Sequence, residues 1–227
     1  TKVNINRFFN PEVGGHLFTA DPNEALVLSS SENFKPEGVG FQALSKEAHG
    51  NLRVVVASLA TLQQCKEAGI DAELMQSVAH IDLYIDGADE VDPSFCCIKG
   101  RGGAMVGEKL CAQMADEFIV LVDDTKLASY LGGKWPVVPL EVVPWARSSI
   151  GRAIVAMGGK PELRETKSDM GNDIIDCHGL DLSAPYTLSD QLNQMTGVVG
   201  HGLFVHEKPT QVWSCDGDKV WSLTKEG

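Results

Sequence analysis

Short apolar runs alternate with amphipathic helical segments, and this alternation constrains the fold of the chain most. Residues 25–28 and 53–57 are continuous apolar runs, as in strands that are covered on both faces. Residues 59–65 then have the spacing of an amphipathic helix, which Gly69 would end. Further strands are predicted at residues 81–85, 95–98 and 118–122, and a helix at residues 104–116. This order predicts an open, mostly parallel, Rossmann-like α/β sheet.

The pattern changes near Gly132, where Trp135 and the prolines around it interrupt the alternation. Strands are predicted at residues 137–143, 162–165, 173–177 and 198–205, and helices at residues 147–157 and 188–195. The order βαββαβ is that of a ferredoxin-like α+β unit. We therefore expect an α/β domain of residues 1–131 and 207–227, with a ferredoxin-like domain of residues 132–206 inserted into it.

The charge of the chain excludes several classes of partner. Lys and Arg number 19 against 31 Asp and Glu, so the net charge is −12. Nucleic acid and anionic membrane surfaces repel such a chain, so neither is expected as a partner. No apolar run approaches the roughly 18 residues of a membrane span, and the first residues lack a signal-peptide pattern. A cytoplasmic location is expected.

Six cysteines are too few for a disulfide scaffold, and they lie in or beside apolar stretches. Buried free thiols in a reducing compartment are therefore expected. The alternative is a zinc site formed by Cys177, His178, His201 and His206. A strand would place His201 and His206 on opposite faces, which argues against this alternative, so no metal is expected.

Polar residues follow three successive predicted strands, at the edge where open α/β sheets bind ligands. They are the acidic turn that contains Asp86 and Asp89, the turn from Lys99 to Gly103, and the segment that ends at Lys126. Each has an ordinary explanation as a solvated loop, a packing turn or a surface lysine. Their coincidence, with Glu108 in the following helix, instead predicts one concave site with a base, cations and carboxylates.

Seven segments in order resemble ribose-5-phosphate isomerase of the A type. They are residues 86–91 (DGADEV), 99–104 (KGRGGA) with Glu108 and Lys109, 123–126 (DDTK), 139–144 (PLEVVP), 158–164 (GGKPELR), 169–176 (DMGNDIID) and 197–204 (GVVGHGLF). The resemblance covers about residues 54–204. It implies interconversion of D-ribose 5-phosphate and D-ribulose 5-phosphate in the non-oxidative pentose phosphate pathway, without metal or cofactor, by a homodimer or homotetramer.

The resemblance also implies roles for individual residues. Glu108 would move a proton between C1 and C2 through an enediolate, and Lys99 would stabilise the developing oxyanion. Asp86 and Asp89 would handle ring opening and the hydroxyl protons. The implied substrate contacts are Gly87, Ala88, Gly100, Arg101, Gly102 and Lys126. The dipole of the helix would keep Glu108 ionised while burial would raise its pKa, and the sequence leaves the outcome open.

The chain departs from the family at the phosphate-binding loop. The family has a glycine-rich loop where this chain has Ser29 to Asn33, so Ser30, Ser31 and Asn33 are the predicted donors to the phosphate. Glu32 would repel that group. Arg101 stands where the family has glycine, and either restores a positive charge or faces solvent. A changed sugar substrate and a non-catalytic sugar-binding or regulatory relative are therefore kept as alternatives.

Overall fold

The computed structural model describes residues 2–10, 15–19, 35–44, 53–215 and 220–223. The chain forms two compact units, Thr1–Arg53 with Trp213–Ser222, and Val54–Val212 with Leu223–Gly227. The first unit contains an antiparallel sheet of β1 (Lys2–Asn10), β2 (Gly15–Thr19) and β3 (Lys35–Leu44), in the order β2-β1-β3. The strand predicted at residues 25–28 lies outside the described residues.

The second unit begins with six strands and two helices. They are β4 (Val54–Val56), α1 (Leu59–Glu67), β5 (Ala72–Leu74), β6 (Ile81–Asp86), β7 (Glu90–Val91), β8 (Cys97–Ile98), α2 (Met105–Met114) and β9 (Ala115–Asp123). β4 pairs with β5 and β6 pairs with β9, both in parallel. The side chain of Ser58 accepts the N–H of Thr61 at 3.0 Å and so caps α1. These pairings confirm the parallel α/β architecture.

The predicted βαββαβ order is confirmed in the middle of the chain. The elements are β10 (Val137–Val142), α3 (Arg147–Ala156), β11 (Lys160–Leu163), β12 (Asp173–His178), α4 (Pro185–Asn193) and β13 (Val198–His201). The strands form an antiparallel sheet in the order β11-β12-β10-β13. Leu140, Ile154 and Leu192 are fully buried between this sheet and its helices. Residues of both predicted domains lie in the second unit, so the boundaries at residues 131 and 206 stay a prediction.

The prediction of one continuous strand at residues 198–205 is wrong, because the structure has two strands there. The strand is interrupted at Gly202, where a Cβ would lie 2.1 Å from the carbonyl oxygen of Lys99. Beyond the break, β14 (Leu203–Phe204) pairs with β8, which also pairs with β7. These three strands form a sheet of their own, so β8 is not a member of the parallel sheet. The switch places β14 directly beside the strand that precedes Lys99.

The core next to the parallel strands is aromatic and aliphatic. Tyr84 of β6 stacks on Phe118 of β9 with ring centroids 4.8 Å apart, and Val120, Phe204 and Val212 are fully buried in the same cluster. The last strands are β15 (Gln211–Cys215) and β16 (Val220–Leu223). All six cysteines are free thiols, as expected, and five of them are buried. Among the described residues, no helix is long and apolar enough to cross a membrane.

Candidate active site

Asp86 ends β6 and is held by three donors. The hydroxyl of Tyr84 donates to its Oδ2, the N–H of Gly87 donates to its Oδ1 at 2.7 Å, and the ammonium of Lys99 donates to Oδ2 at 2.9 Å. Tyr84 and Asp86 lie two residues apart and so face the same side of the strand. Part of the Asp86 side chain remains exposed, so a ligand at the strand ends can reach it.

Lys99 follows β8 and is only 3% exposed, yet its ammonium is well supplied with acceptors. Besides Asp86, it donates to the carbonyl of Gly87, and it lies 3.3 Å from Oε2 of Glu108. Burial lowers the pKa of Lys99, but the charges of Asp86 and Glu108 outweigh burial and hold the pKa above its ordinary value. Lys99 is therefore a fixed, permanently charged cation between two carboxylates.

Glu108 lies in the first turn of α2, and its N–H donates to the carbonyl of Ala104 at 2.9 Å. The described residues place no hydrogen bond on its buried Oε2, whose contact is the ion pair with Lys99. Burial raises the pKa of Glu108 to about 7, and the charges of Asp86 and Asp89 add to that effect while Lys99 opposes it. Burial thus outweighs the opposing effect of Lys99 on the pKa of Glu108. A carboxylate that titrates near neutrality both accepts and returns a proton readily.

Asp89 lies between β6 and β7 and accepts the backbone N–H of Arg101 at 3.1 Å. Burial raises its pKa, while that N–H and the charges of Lys99, Lys126 and Arg101 oppose the rise. Lys126 ends a single turn of 3₁₀-helix that follows β9. The structure therefore brings Asp86, Asp89, Lys99 and Glu108 together as predicted, with Lys126 near enough to influence Asp89.

The turn after Lys99 needs its glycines. Gly100 and Gly103 have φ of +100° and +84°, where L side chains are strained. A Cβ at Gly100 would also lie 2.9 Å from Met105. Gly102 has open space around it, so its backbone is accessible to a ligand. Gly87 and Ala88 flank the other side of the site, in the turn whose first carbonyl binds Lys99.

Arg101 is an exposed residue whose guanidinium stacks over the ring of Trp135, 4.7 Å from its centroid. The sequence reasoning missed Trp135 as a neighbour of the site. It also missed Tyr84, although the two-residue spacing to Asp86 is a signal for a shared strand face. A third omission is the ion pair of Arg164 with Asp176. Both residues lie in segments that resemble the family, but the sequence reasoning assigned them no role.

The described residues do not support the alternative of a zinc site at Cys177, His178, His201 and His206. Cys177 and His201 are fully buried, while His178 pairs with Glu162 at 3.4 Å and His206 with Asp190 at 2.9 Å. Within the same part of the chain, the group of three possible metal ligands is His80, Asp82 and Asp116. These exposed side chains lie at the opposite end of β6 from Asp86.

A buried cation beside a carboxylate of near-neutral pKa supplies what proton abstraction next to a carbonyl requires. The site also includes Asp86 at the carboxyl end of β6, one of two paired parallel strands, which is where α/β sheets bind small molecules. Fold and site together define a proton-transfer enzyme of the aldose–ketose isomerase type.

Comparison with known proteins agrees with this class. Residues 53–218 match the family model of ribose 5-phosphate isomerase A (phosphoriboisomerase A). Ribose-5-phosphate isomerase A of Haemophilus influenzae (strain 86-028NP) is 42% identical over 187 residues, which are 82% of this chain and 83% of that protein. The enzyme from Acidithiobacillus ferrooxidans (strain ATCC 53993 / BNL-5-31) is 39% identical over 180 residues, or 79% of each chain.

Solved structures show the same likeness. The ribose 5-phosphate isomerase A of Neisseria gonorrhoeae superposes with a TM-score of 0.72 at 33% identity, over 76% of this chain and 77% of that one. A D-ribose-5-phosphate isomerase in complex with phospho-erythronic acid gives 0.70 at 36% identity, over 75% and 76%. The chain belongs to the ribose 5-phosphate isomerase A family.

The first residues match a different family model. Residues 1–63 match a domain of unknown function (DUF5648), and the isomerase match begins at residue 53. The predicted phosphate donors Ser30, Ser31 and Asn33 fall before that point and outside the described residues. Their role stays a prediction.

Proposed function

We propose that this chain interconverts D-ribose 5-phosphate and D-ribulose 5-phosphate in the pentose phosphate pathway, with Glu108 as the proton-transfer base. The observation that carries the proposal is the ion pair at 3.3 Å between buried Lys99 and a carboxylate whose pKa is raised to about 7. An aldose–ketose isomerase requires such a pair, because it forms and discharges an enediolate at one carbon–carbon bond.

The steps follow from these positions. Glu108 removes the proton from C2 of the open-chain aldose, and the electron pair moves through C1 onto the carbonyl oxygen. Lys99 stabilises that oxygen while it carries negative charge. Glu108 then returns the proton to C1, and a hydroxyl proton passes from O2 to O1. Asp86 and Asp89 handle that hydroxyl proton and those of ring opening, since both carboxylates lie at the strand ends beside Lys99.

Arg101 and Lys126 are proposed to bind the phosphate, with backbone contacts from Gly87, Ala88, Gly100 and Gly102. Both cations act on Asp89, so both carry positive charge toward the site. The solved relative in complex with phospho-erythronic acid supports a phosphorylated ligand for this family. Because a charged hydrogen bond contributes roughly 1.5–3 kcal/mol, Arg101→Gly should raise the KM for ribose 5-phosphate by about ten- to a hundredfold. An unchanged KM would assign Arg101 to the surface stack with Trp135 alone.

The direct test is a coupled assay for ribulose 5-phosphate with the full chain. The wild type should form product, and Glu108→Gln should lower turnover by about 10²–10⁴-fold, which is the usual contribution of a general base. Glu165→Gln, at an exposed carboxylate, is the matched control and should retain full turnover. A wild type that binds the sugar phosphate without converting it would identify a non-catalytic relative. Full turnover of Glu108→Gln would exclude Glu108 as the base.

A homodimer or homotetramer in the cytoplasm is also proposed. Trp145 is 100% exposed and lies near Val143, which is 38% exposed, and exposed apolar area of this kind favours a protein contact. Six free thiols suit a reducing compartment. Light scattering that gives a monomer mass would remove the oligomer from the proposal.

A further inference from the structure

All three nitrogens of the Arg164 guanidinium donate hydrogen bonds. Nε donates to Oδ2 of Asp176 at 2.5 Å, and Nη2 donates to Oδ1 of the same carboxylate at 2.7 Å. The remaining nitrogen, Nη1, donates to the carbonyls of Gly100 and Arg101, each at 3.0 Å. The side chains of Arg164 and Asp176 are 16% and 19% exposed, so both are largely withdrawn from solvent.

Two paired strands carry the residues of this contact. Asp176 belongs to β12 and lies opposite Glu162 of β11, the strand that Arg164 follows. The backbone N–H of Arg164 donates to the carbonyl of Ile174 at 2.9 Å, which continues the pairing of β11 with β12. The two-pronged contact with Asp176 fixes the plane of the guanidinium and leaves Nη1 aimed at the glycine turn. Lysine has no such planar fork and cannot make both contacts.

The carbonyl of Gly100 and the N–H of Arg101 belong to one peptide group. In a planar trans peptide these two groups point in opposite directions. Arg164 binds the carbonyl on one side, and Asp89 accepts the N–H at 3.1 Å on the other. The chain of contacts therefore runs from Asp176 through Arg164 and this peptide to Asp89. A cation on the carbonyl polarises the peptide and strengthens its N–H as a donor.

We propose that Arg164 is a positioning residue of the active site, which orients the Gly100–Arg101 peptide so that its N–H holds Asp89 in place. The antiparallel sheet thereby sets the geometry of a carboxylate at the parallel strand ends. The proposal rests on the proposed function, because it assigns Asp89 to the hydroxyl protons of the sugar.

This role has a signature in the pH profile. The N–H of Arg101 opposes the burial that raises the pKa of Asp89. Without Arg164 the peptide is free to turn, Asp89 loses this donor, and its pKa rises further. Because both Glu108 and Asp89 must be ionised, log kcat/KM falls with slope one below the pKa of Glu108, and with slope two below the pKa of Asp89. Loss of Arg164 moves the second break to higher pH.

The test compares Arg164→Met and Arg164→Lys with Arg152→Met, a control at an exposed arginine of α3. Misplacing a catalytic group by about 1 Å costs up to about 10²-fold, so we expect kcat to fall by ten- to a hundredfold in both Arg164 variants with a smaller change in KM. The second break should also move to higher pH. Arg152→Met should keep the wild-type kcat and both breaks.

Asp176→Asn provides an independent variant, because it retains the size of the side chain while weakening the hold on the guanidinium. It should move the second break in the same direction by a smaller amount. The positioning role would be overturned if the wild type is active and folded Arg164→Lys or Asp176→Asn keeps both the wild-type kcat and the wild-type position of the second break. An inactive wild type would instead overturn the proposed function.

Discussion

Glu90 in β7 and Glu108 in the first turn of α2 are buried carboxylates with opposite surroundings. Glu90 is 0% exposed and accepts three backbone N–H groups, those of Gly132, Lys134 and Trp135, the last two at 2.6 Å. Glu108 has an Oε2 on which the described residues place no hydrogen bond, and a single ion pair at 3.3 Å.

This difference distinguishes a carboxylate that stabilises the fold from one that takes part in proton transfer. A buried carboxylate that accepts several N–H groups is a structural contact, and Glu90 holds the loop of residues 132–135 against β7. A buried carboxylate with few donors is destabilised in that form, which moves its pKa toward the range where it exchanges protons. The pKa of Glu108 is raised to about 7 for this reason. The fold supplies three backbone donors to Glu90, whereas the described residues place no hydrogen bond on Oε2 of Glu108.

The largest effect is expected when Lys99, the cation beside Glu108, is removed. Lys99→Met leaves Asp86 and Glu108 without their shared ammonium, which also stabilises the enediolate. Loss of one such donor typically costs about 10²–10³-fold in kcat. Steady-state assays at several pH values should show that loss, together with a pKa of Glu108 above 7. A kcat within threefold of wild type would show that Lys99 does not stabilise the reacting oxygen.

The Glu90 region should respond in stability. Glu90→Gln keeps the size of the side chain but replaces one acceptor oxygen with an amide that faces backbone N–H groups. With charged hydrogen bonds contributing roughly 1.5–3 kcal/mol each, the free energy of unfolding should fall by about 3 kcal/mol in urea titrations. Glu165→Gln should leave the urea midpoint unchanged. A midpoint shift near zero in Glu90→Gln would remove the distinction between the two carboxylates.

Glu108→Gln should change stability with the opposite sign to Glu90→Gln. The pKa of Glu108 rises from its ordinary 4.5 to about 7 in the folded chain. The carboxyl therefore favours the folded state below pH 4.5, and this contribution is lost as the pH rises through 7. Glutamine does not titrate, so the stability of the variant relative to wild type should be higher at pH 8 than at pH 4. Urea midpoints at the two pH values measure this. A variant that loses stability selectively at pH 8 would show that Glu108 is a structural carboxylate like Glu90.

Sequence reasoning predicted the parts of the fold that depend on local patterns. The apolar runs identified β6 and β9, and the polar residues after the predicted strands identified Asp86, Asp89 and Lys99, with Glu108 in the following helix. The strand before Lys99 was nevertheless expected in the parallel sheet, whereas β8 pairs antiparallel in a separate sheet. The interruption at Gly202 depends on a close approach to Lys99, a residue distant in the sequence, which no local pattern encodes.

The parts of the site that were missed depend on tertiary contacts. Arg164 reaches the glycine turn only because β11 and β12 pair beside it, and Trp135 meets Arg101 from a loop held by Glu90. The direction of the pKa of Glu108 also required burial, since the helix dipole and burial act in opposite directions. The phosphate loop predicted at Ser30, Ser31 and Asn33 stays a prediction.

The pH dependence of kcat/KM for ribose 5-phosphate, in wild type and Glu108→Gln, tests most directly that Glu108 is the base. In the wild type, kcat/KM should fall tenfold per pH unit below an apparent pKa near 7, because protonated Glu108 cannot accept the C2 proton. The residual activity of Glu108→Gln should lack this break. The phosphate of the substrate titrates near pH 6, but it does so equally in both proteins, so the comparison removes its contribution. A wild-type profile that stays flat to pH 5, or a break near 7 that persists in Glu108→Gln, would contradict the assignment.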